Sequence, residues 1–147
     1  MEQLPYIDEH SIQIDTTAER VWGALISVLR TDLGRPARAP LTRALGVTPG
    51  EMRGAWGPTV VLGDTLPGFA VADVDAPRRL ALRGHHRFSR YALTFELTGT
   101  ESGCGLRART SAEFPGLTGG AYRALVIGTR AHRLIVRRLL FNVARRA

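Results

Sequence analysis

The 147 residues predict a single α+β domain, spanning 1–147, in which an antiparallel sheet is closed by a long C-terminal helix. Three observations predict it. A short alternating segment near the N-terminus runs straight into a capped helical one. Strand signals then recur between residues 59 and 113 with short turn clusters between them, and the rest of the chain carries an apolar stripe at helical spacing. A chain of this length buries roughly 68–70% of its unfolded surface, enough for one core and room for a cavity.

His10-Ser-Ile-Gln-Ile-Asp15 alternates polar with apolar residues and puts Ile12 and Ile14 on one face of a strand. Thr16-Thr-Ala-Glu19 matches a capping box, in which a threonine oxygen accepts an early backbone N–H and the glutamate reaches back. Val21, Trp22, Leu25, Val28 and Leu29 recur at helical spacing to about Leu29 or Arg30, with the end near Gly34. From Arg35 to Pro58 prolines and glycines are dense, and the stretch reads mainly as loop, with a helical piece between Leu41 and Leu45 and Trp56 on a short strand. Long loops in compact domains are usually functional, which makes this one the candidate portal or lid.

Strands are expected at Thr59–Leu62, Phe69–Val74, Leu80–Arg83, Arg90–Thr98 and Gly105–Glu113. Their short links imply an antiparallel meander. In Tyr91-Ala-Leu-Thr-Phe-Glu-Leu97 the odd positions are large and apolar and the even ones small or polar, so one face is dry and the other wet. The last strand repeats the period with Leu106, Ala108, Thr110 and Ala112 on its dry face. Side chains this small fit either close helix packing or a hollow above the sheet.

Beyond Gly119-Gly120 a helix is expected to the C-terminus. Leu125, Thr129, His132, Val136, Leu139 and Val143 fall near one line, with Tyr122 and Leu140 on its flank, and form the sheet-facing stripe. Arginines 123, 130, 137, 138 and 145 occupy the opposite side. Residues 114–147 hold seven arginines and no acid, whereas residues 1–113 balance thirteen arginines with thirteen acids, so the whole formal charge of +7 sits at this end. Ile127, Leu134 and Phe141 recur every seven residues among the arginines. They predict a second seam: against another part of the chain, a second copy in a homodimer, or an anionic membrane surface. A nucleic-acid partner is not expected, because these apolar groups are poorly placed against phosphates.

His132 is the one ionisable group in the stripe. It reads either as a core histidine bonded to a backbone carbonyl or to Thr129, or as the polar anchor of a ligand cavity. Acid–base chemistry would need a carboxylate partner, and this helix has no acid. No catalytic set, cofactor or metal is expected. The adjacent His85 and His86 point to opposite faces of a strand, no histidine pair has chelating spacing, and no glycine cluster matches a nucleotide-binding fingerprint. Cys104, the only cysteine, excludes an internal disulfide and reads as a small buried or half-buried side chain. No run reaches the ~18 apolar residues of a membrane span, and Met1–Pro5 has no basic apolar leader, so a cytoplasmic location is expected.

This order of elements resembles the helix-grip domains of the START-like superfamily, also called SRPBCC, the polyketide cyclase/dehydrase and lipid-transport or Bet v 1-like group. Ser11-Ile-Gln-Ile-Asp-Thr-Thr-Ala-Glu-Arg-Val-Trp22, Asp75-Ala-Pro-Arg-Arg-Leu-Ala-Leu82 and Tyr91-Ala-Leu-Thr-Phe-Glu-Leu97 with the closing helix are similar to its bacterial, notably actinobacterial, members. These stretches are architectural and carry no catalytic signature. The resemblance implies a curved antiparallel sheet wrapped around the C-terminal helix, with an apolar cavity between them. Tyr91, Leu93, Phe95, Leu106, Ala108 and Thr110 would line it together with Tyr122, Thr129, His132 and Val136, and Trp56 and Phe69 would lie near its mouth. The function it implies is binding or transport of a small hydrophobic or amphipathic ligand. The alternatives are a cyclase or aromatase-type enzyme drawing on His132, Tyr91, Thr110 and His86, or an interaction module using the basic outer face of the helix.

Overall fold

The computed structural model describes residues 4–34, 46–57, 59–87, 89–114, 116 and 131–147, the side chains of residues 131 and 132 excepted. Its elements are β1 (Tyr6–Ile14), α1 (Ala18–Leu33), β2 (Thr65–Leu66), β3 (Phe69–Asp75), β4 (Arg79–His86), β5 (Ser89–Thr100), β6 (Gly103–Glu113) and α2 (Ala131–Arg146). The six strands form one open antiparallel sheet in the order β1-β6-β5-β4-β3-β2. The α+β class and the meander β3 to β6 agree with the sequence pattern, whereas the two-residue strand β2 was not expected. The N-terminal strand does not extend the meander at its start but pairs with the last strand, Ile14 opposite Cys104 and Ile12 opposite Leu106.

Period-two alternation fixes which side chains share a face. Val71, Leu82, Leu93, Thr110 and Asp8 lie in one register row across five strands, and Val74, Leu80, Phe95, Ala108 and His10 in the next. Leu80, Leu82, Phe95, Leu106 and Ala108 have no solvent exposure. The opposite face is ionic: Arg107 bonds Glu96 at 2.9 Å and stands 3.7 Å from Glu9, and Arg79 stands 3.5 Å from Asp73.

Helix α1 starts one residue later than the capping box implies. Thr17, not Thr16, is the N-cap, its hydroxyl accepting from the Arg20 N–H at 3.3 Å. Thr16 is held in the turn out of β1, its N–H donating to the Ile14 carbonyl, so Glu19 falls one position short of a reciprocal bond. Val21, Trp22, Leu25, Val28 and Leu29 are buried as their spacing requires, and Gly34 ends the helix with its N–H on the Arg30 carbonyl.

Thr59–Leu62 is not a strand. The Val60 N–H donates to the Gly57 carbonyl, the Asp64 carboxylate accepts from the Val61 N–H, and Gly63 has φ +88°, which together make a turn and leave Val61 and Leu62 exposed. Trp56 is not on a strand either; it has φ +50° and is buried. The described part of the proline-rich stretch is tied to the sheet by paired backbone bonds between Thr48 and His85 and between Arg53 and Thr65. The helical piece expected at 41–45 lies outside the described residues.

Helix α2 packs on α1, β1 and β6. Val136, Leu139, Leu140 and Val143 are its buried side. Its end is clamped to α1: Asn142 donates to Asp32 at 3.1 Å, and Arg146 to the hydroxyls of Ser27 and Thr31. Arg137 and Arg145 are exposed on the outer side, and Arg138, expected there too, is exposed at its edge toward the sheet. Leu134 and Phe141 are also exposed, 67% and 57%, so the seam expected there does not close against this chain at those two residues; Ile127 lies outside the described residues. Among the described residues no helix is long and apolar enough to cross a membrane.

Candidate ligand cavity

Between the dry face and the two helices lies a cavity of about 220 Å³. Strand β5 contributes Tyr91 and Leu93, β6 Thr110, β3 Phe69, α1 Leu33 and Asp32, and α2 Ile135, Val136, Arg138 and Leu139. The wall is mostly hydrocarbon because it is built from the apolar stripe of α2 and the odd positions of β5, the two patterns legible in the sequence. Ile135 is 58% exposed and Arg138 is exposed, so these two mark the side open to solvent.

Four of the residues expected at the cavity meet there: Tyr91, Leu93, Thr110 and Val136, with Phe69 beside them. Tyr91 and Phe69 stack edge to face at 5.3 Å between ring centres. The Tyr91 hydroxyl donates to the Gly68 carbonyl at 2.7 Å, so its polar end is already engaged. Phe95, Leu106 and Ala108 do not line the hollow; they lie fully buried deeper on the same face, Phe95 in register between Leu80 and Ala108. The small side chain at Ala108 thus belongs to packed core, and Thr110 to the hollow. Trp56 does not line it either. Its indole N–H donates to the carbonyls of Thr65 (2.9 Å) and Arg53 (3.1 Å), which pins the loop beside β2. Tyr122 and Thr129 lie outside the described residues, as does the side chain of His132, which sits in the first turn of α2.

The structure adds two polar residues that the pattern analysis did not single out. The alternation of Ile12 and Ile14 continues backward to His10 and Asp8, which therefore face inward. The His10 ring nitrogen lies 3.2 Å from an Asp8 carboxylate oxygen, and Arg133 of α2 lies 3.7 Å from the same oxygen. Asp8 is opposite Thr110 on the ladder. The signal was present: stepping by two from Ile14 reaches both residues.

His86 and Cys104 have shifted proton affinities. Burial, reinforced by the neighbouring His85, lowers the His86 pKa below its ordinary value. Its ring is 5.8 Å from that of Tyr91. Burial raises the Cys104 thiol, with Glu19 adding to the effect and a backbone bond to Thr98 opposing it. Among the described residues no three His, Cys, Asp or Glu side chains group in a way that could hold a metal ion.

No protein-family model matches the chain, and no curated protein sequence matches it. Solved structures do share its fold. Protein CV1439 from Chromobacterium violaceum superposes with a TM-score of 0.56 at 12% identity, covering 95% of this chain and 96% of its own. CalU16 from Micromonospora echinospora gives 0.54 at 14% identity, covering 93% and 80%. DynU16, a protein of the dynemicin biosynthetic locus, gives 0.54 at 16% identity and covers 93% of this chain, which spans 45% of DynU16. At such identities the likeness is one of fold, the α+β helix-grip arrangement.

Proposed function

We propose that this protein binds a small apolar or amphipathic molecule between its sheet and C-terminal helix and acts as a carrier of it. One observation supports the reading above others: a hollow of about 220 Å³ walled by Leu33, Phe69, Leu93, Val136 and Leu139. Apolar surface removed from water there is worth roughly 25 cal/mol per Å². Native mass spectrometry of purified protein, alone and with a panel of ring compounds and short-chain lipids, tests it. A bound species of defined mass is expected, lost in Val136→Trp, whose indole would fill the hollow. Wild type with no bound species across the panel would remove the reading.

A cyclase-type enzyme is the second reading, supported by the contact of His10 with Asp8 at 3.2 Å, a histidine paired with a carboxylate as acid–base chemistry requires. Under it, His10→Ala abolishes turnover of a bound ligand with the fold intact; equal turnover by that variant removes it. The exposed Leu134 and Phe141, flanked by Arg137, Arg138 and Arg145, support a contact of the outer helix face with an anionic membrane surface. A second copy docked on this face would bring arginine against arginine, since residues 114–147 contain no acid. Flotation with phosphatidylserine vesicles is expected for wild type and lost in Leu134→Asp/Phe141→Asp, while sedimentation reports a monomer. A dimer, or indifference to the vesicles, would overturn the membrane contact.

A further inference from the structure

We propose that Thr110 is the anchoring hydroxyl of this cavity, and that its ligand is a small, neutral ring compound presenting one hydroxyl or carbonyl group. The inference rests on the ligand-binding reading above and concerns what that ligand must carry.

The first observation is an unsatisfied polar atom. Thr110 lines the cavity, and its Oγ1 is shut off from solvent with no hydrogen-bond partner among the described residues. An orphaned buried hydroxyl costs roughly 1–3 kcal/mol, and folded proteins rarely keep one without a use. The methyl and hydroxyl share Cβ, so one χ1 step of about 120° exchanges them at the cavity wall. The other polar groups of the lining are engaged or outside. Tyr91 donates to Gly68, Asp32 accepts from Asn142, and Arg138 is exposed.

The second observation concerns charge. The register row Val71, Leu82, Leu93, Thr110, Asp8 runs from hydrocarbon to carboxylate, with Thr110 at the change. Asp8 is held by His10 at 3.2 Å and Arg133 at 3.7 Å, so the basic groups behind Thr110 are already engaged by a carboxylate and not offered to a ligand anion. A ligand carboxylate placed on Thr110 would meet Asp8 next to it. A neutral hydroxyl or carbonyl meets no such penalty, and threonine serves either, as acceptor or donor.

The third is size. The hollow, about 220 Å³, exceeds the roughly 150 Å³ that takes a single benzene ring and falls below the ~300–1,000 Å³ of drug-sized sites. One ring, or two fused, fits.

Naphthalene, 2-naphthol and 2-naphthoate separate the elements of the proposal, titrated calorimetrically into wild type, Thr110→Val and Thr110→Ser. Wild type is expected to bind naphthalene and 2-naphthol, and 2-naphthoate at least tenfold more weakly than the naphthol. Thr110→Val should weaken 2-naphthol about three- to tenfold, the worth of one hydrogen bond, and leave naphthalene within twofold. Thr110→Ser should restore the naphthol. Its melting point and that of the valine variant, the latter unchanged or raised by removal of the orphan, report that both fold. Naphthol and naphthalene bound equally well by wild type and Thr110→Val would overturn the anchor while leaving the cavity standing. Naphthoate bound as tightly as naphthol would overturn the neutral class. Failure of wild type to bind any of the three would overturn the cavity reading, and the anchor with it.

Discussion

The hydroxyl of Tyr91 donates to the carbonyl oxygen of Gly68 at 2.7 Å, joining the middle of the sheet to the turn between β2 and β3 across 23 residues of chain. Tyr91→Phe keeps the aromatic ring beside Phe69 and removes this bond. The expected loss is roughly 1 kcal/mol, or about 3 °C in melting temperature, measured by thermal denaturation. No change would mean that water serves the Gly68 carbonyl as well as the tyrosine does.

Gly84, opposite Tyr91 on the β4–β5 ladder, permits that approach. A Cβ there would run into the Gly68 carbonyl oxygen and lie about 3.0 Å from the Tyr91 ring. Both neighbours are held, so Gly84→Ala is expected to cost about 3 kcal/mol or more, read by urea denaturation. A near-neutral result would show that the turn gives way easily.

Phe95 and Val136 separate core from cavity wall. Phe95→Ala, at a fully buried position, should destabilise by about 3–5 kcal/mol, whereas Val136→Trp should cost much less because it fills existing space. Equal losses in chemical denaturation would place Val136 in packed core rather than on a hollow.

His86 links stability to pH. Its folded pKa lies below the ordinary 6.5, so on acidification the unfolded chain takes up the proton first. Stability is therefore full above pH 6.5 and declines as pH falls through that value toward the folded pKa. His86→Gln should flatten the melting-temperature profile between pH 7 and 5 relative to wild type; parallel profiles would show that His86 is not the group responsible.

Cys104 has no solvent exposure and a raised thiol pKa. Labelling by a thiol reagent at neutral pH should be slow and should accelerate in denaturant. Rapid labelling of the folded protein would mean that β6 opens locally.

Much of the fold was legible in residue spacing. The period-two runs of β5 and β6, the buried stripe of α1 and the face Val136, Leu139, Val143 of α2 follow directly from where apolar residues recur, because burial of one face is what each element needs. Thr59–Leu62 misled for the same reason: Val60 and Val61 carry strand propensity, and the Asp64 side chain and Gly63 backbone override it locally. Trp56, placed near the cavity mouth by the resemblance, is core, with two backbone carbonyls satisfying its indole. Leu93, Thr110 and Val136 could be named in advance as facing one another; Phe95 could not be told from them, since spacing gives the face of a strand but not the depth along it.

By itself the sequence determined the class of the fold, the dry faces and the concentration of arginine near its end. Tertiary structure alone decided that β1 pairs with β6, which sets Asp8 opposite Thr110 and His10 opposite Ala108, and that the outer apolar residues Leu134 and Phe141 are left exposed by this chain. Periodicity is a local property of one element. Which strands become neighbours, and how far a helix stands above a sheet, depends on contacts between residues about a hundred positions apart, such as Asp8 and Thr110.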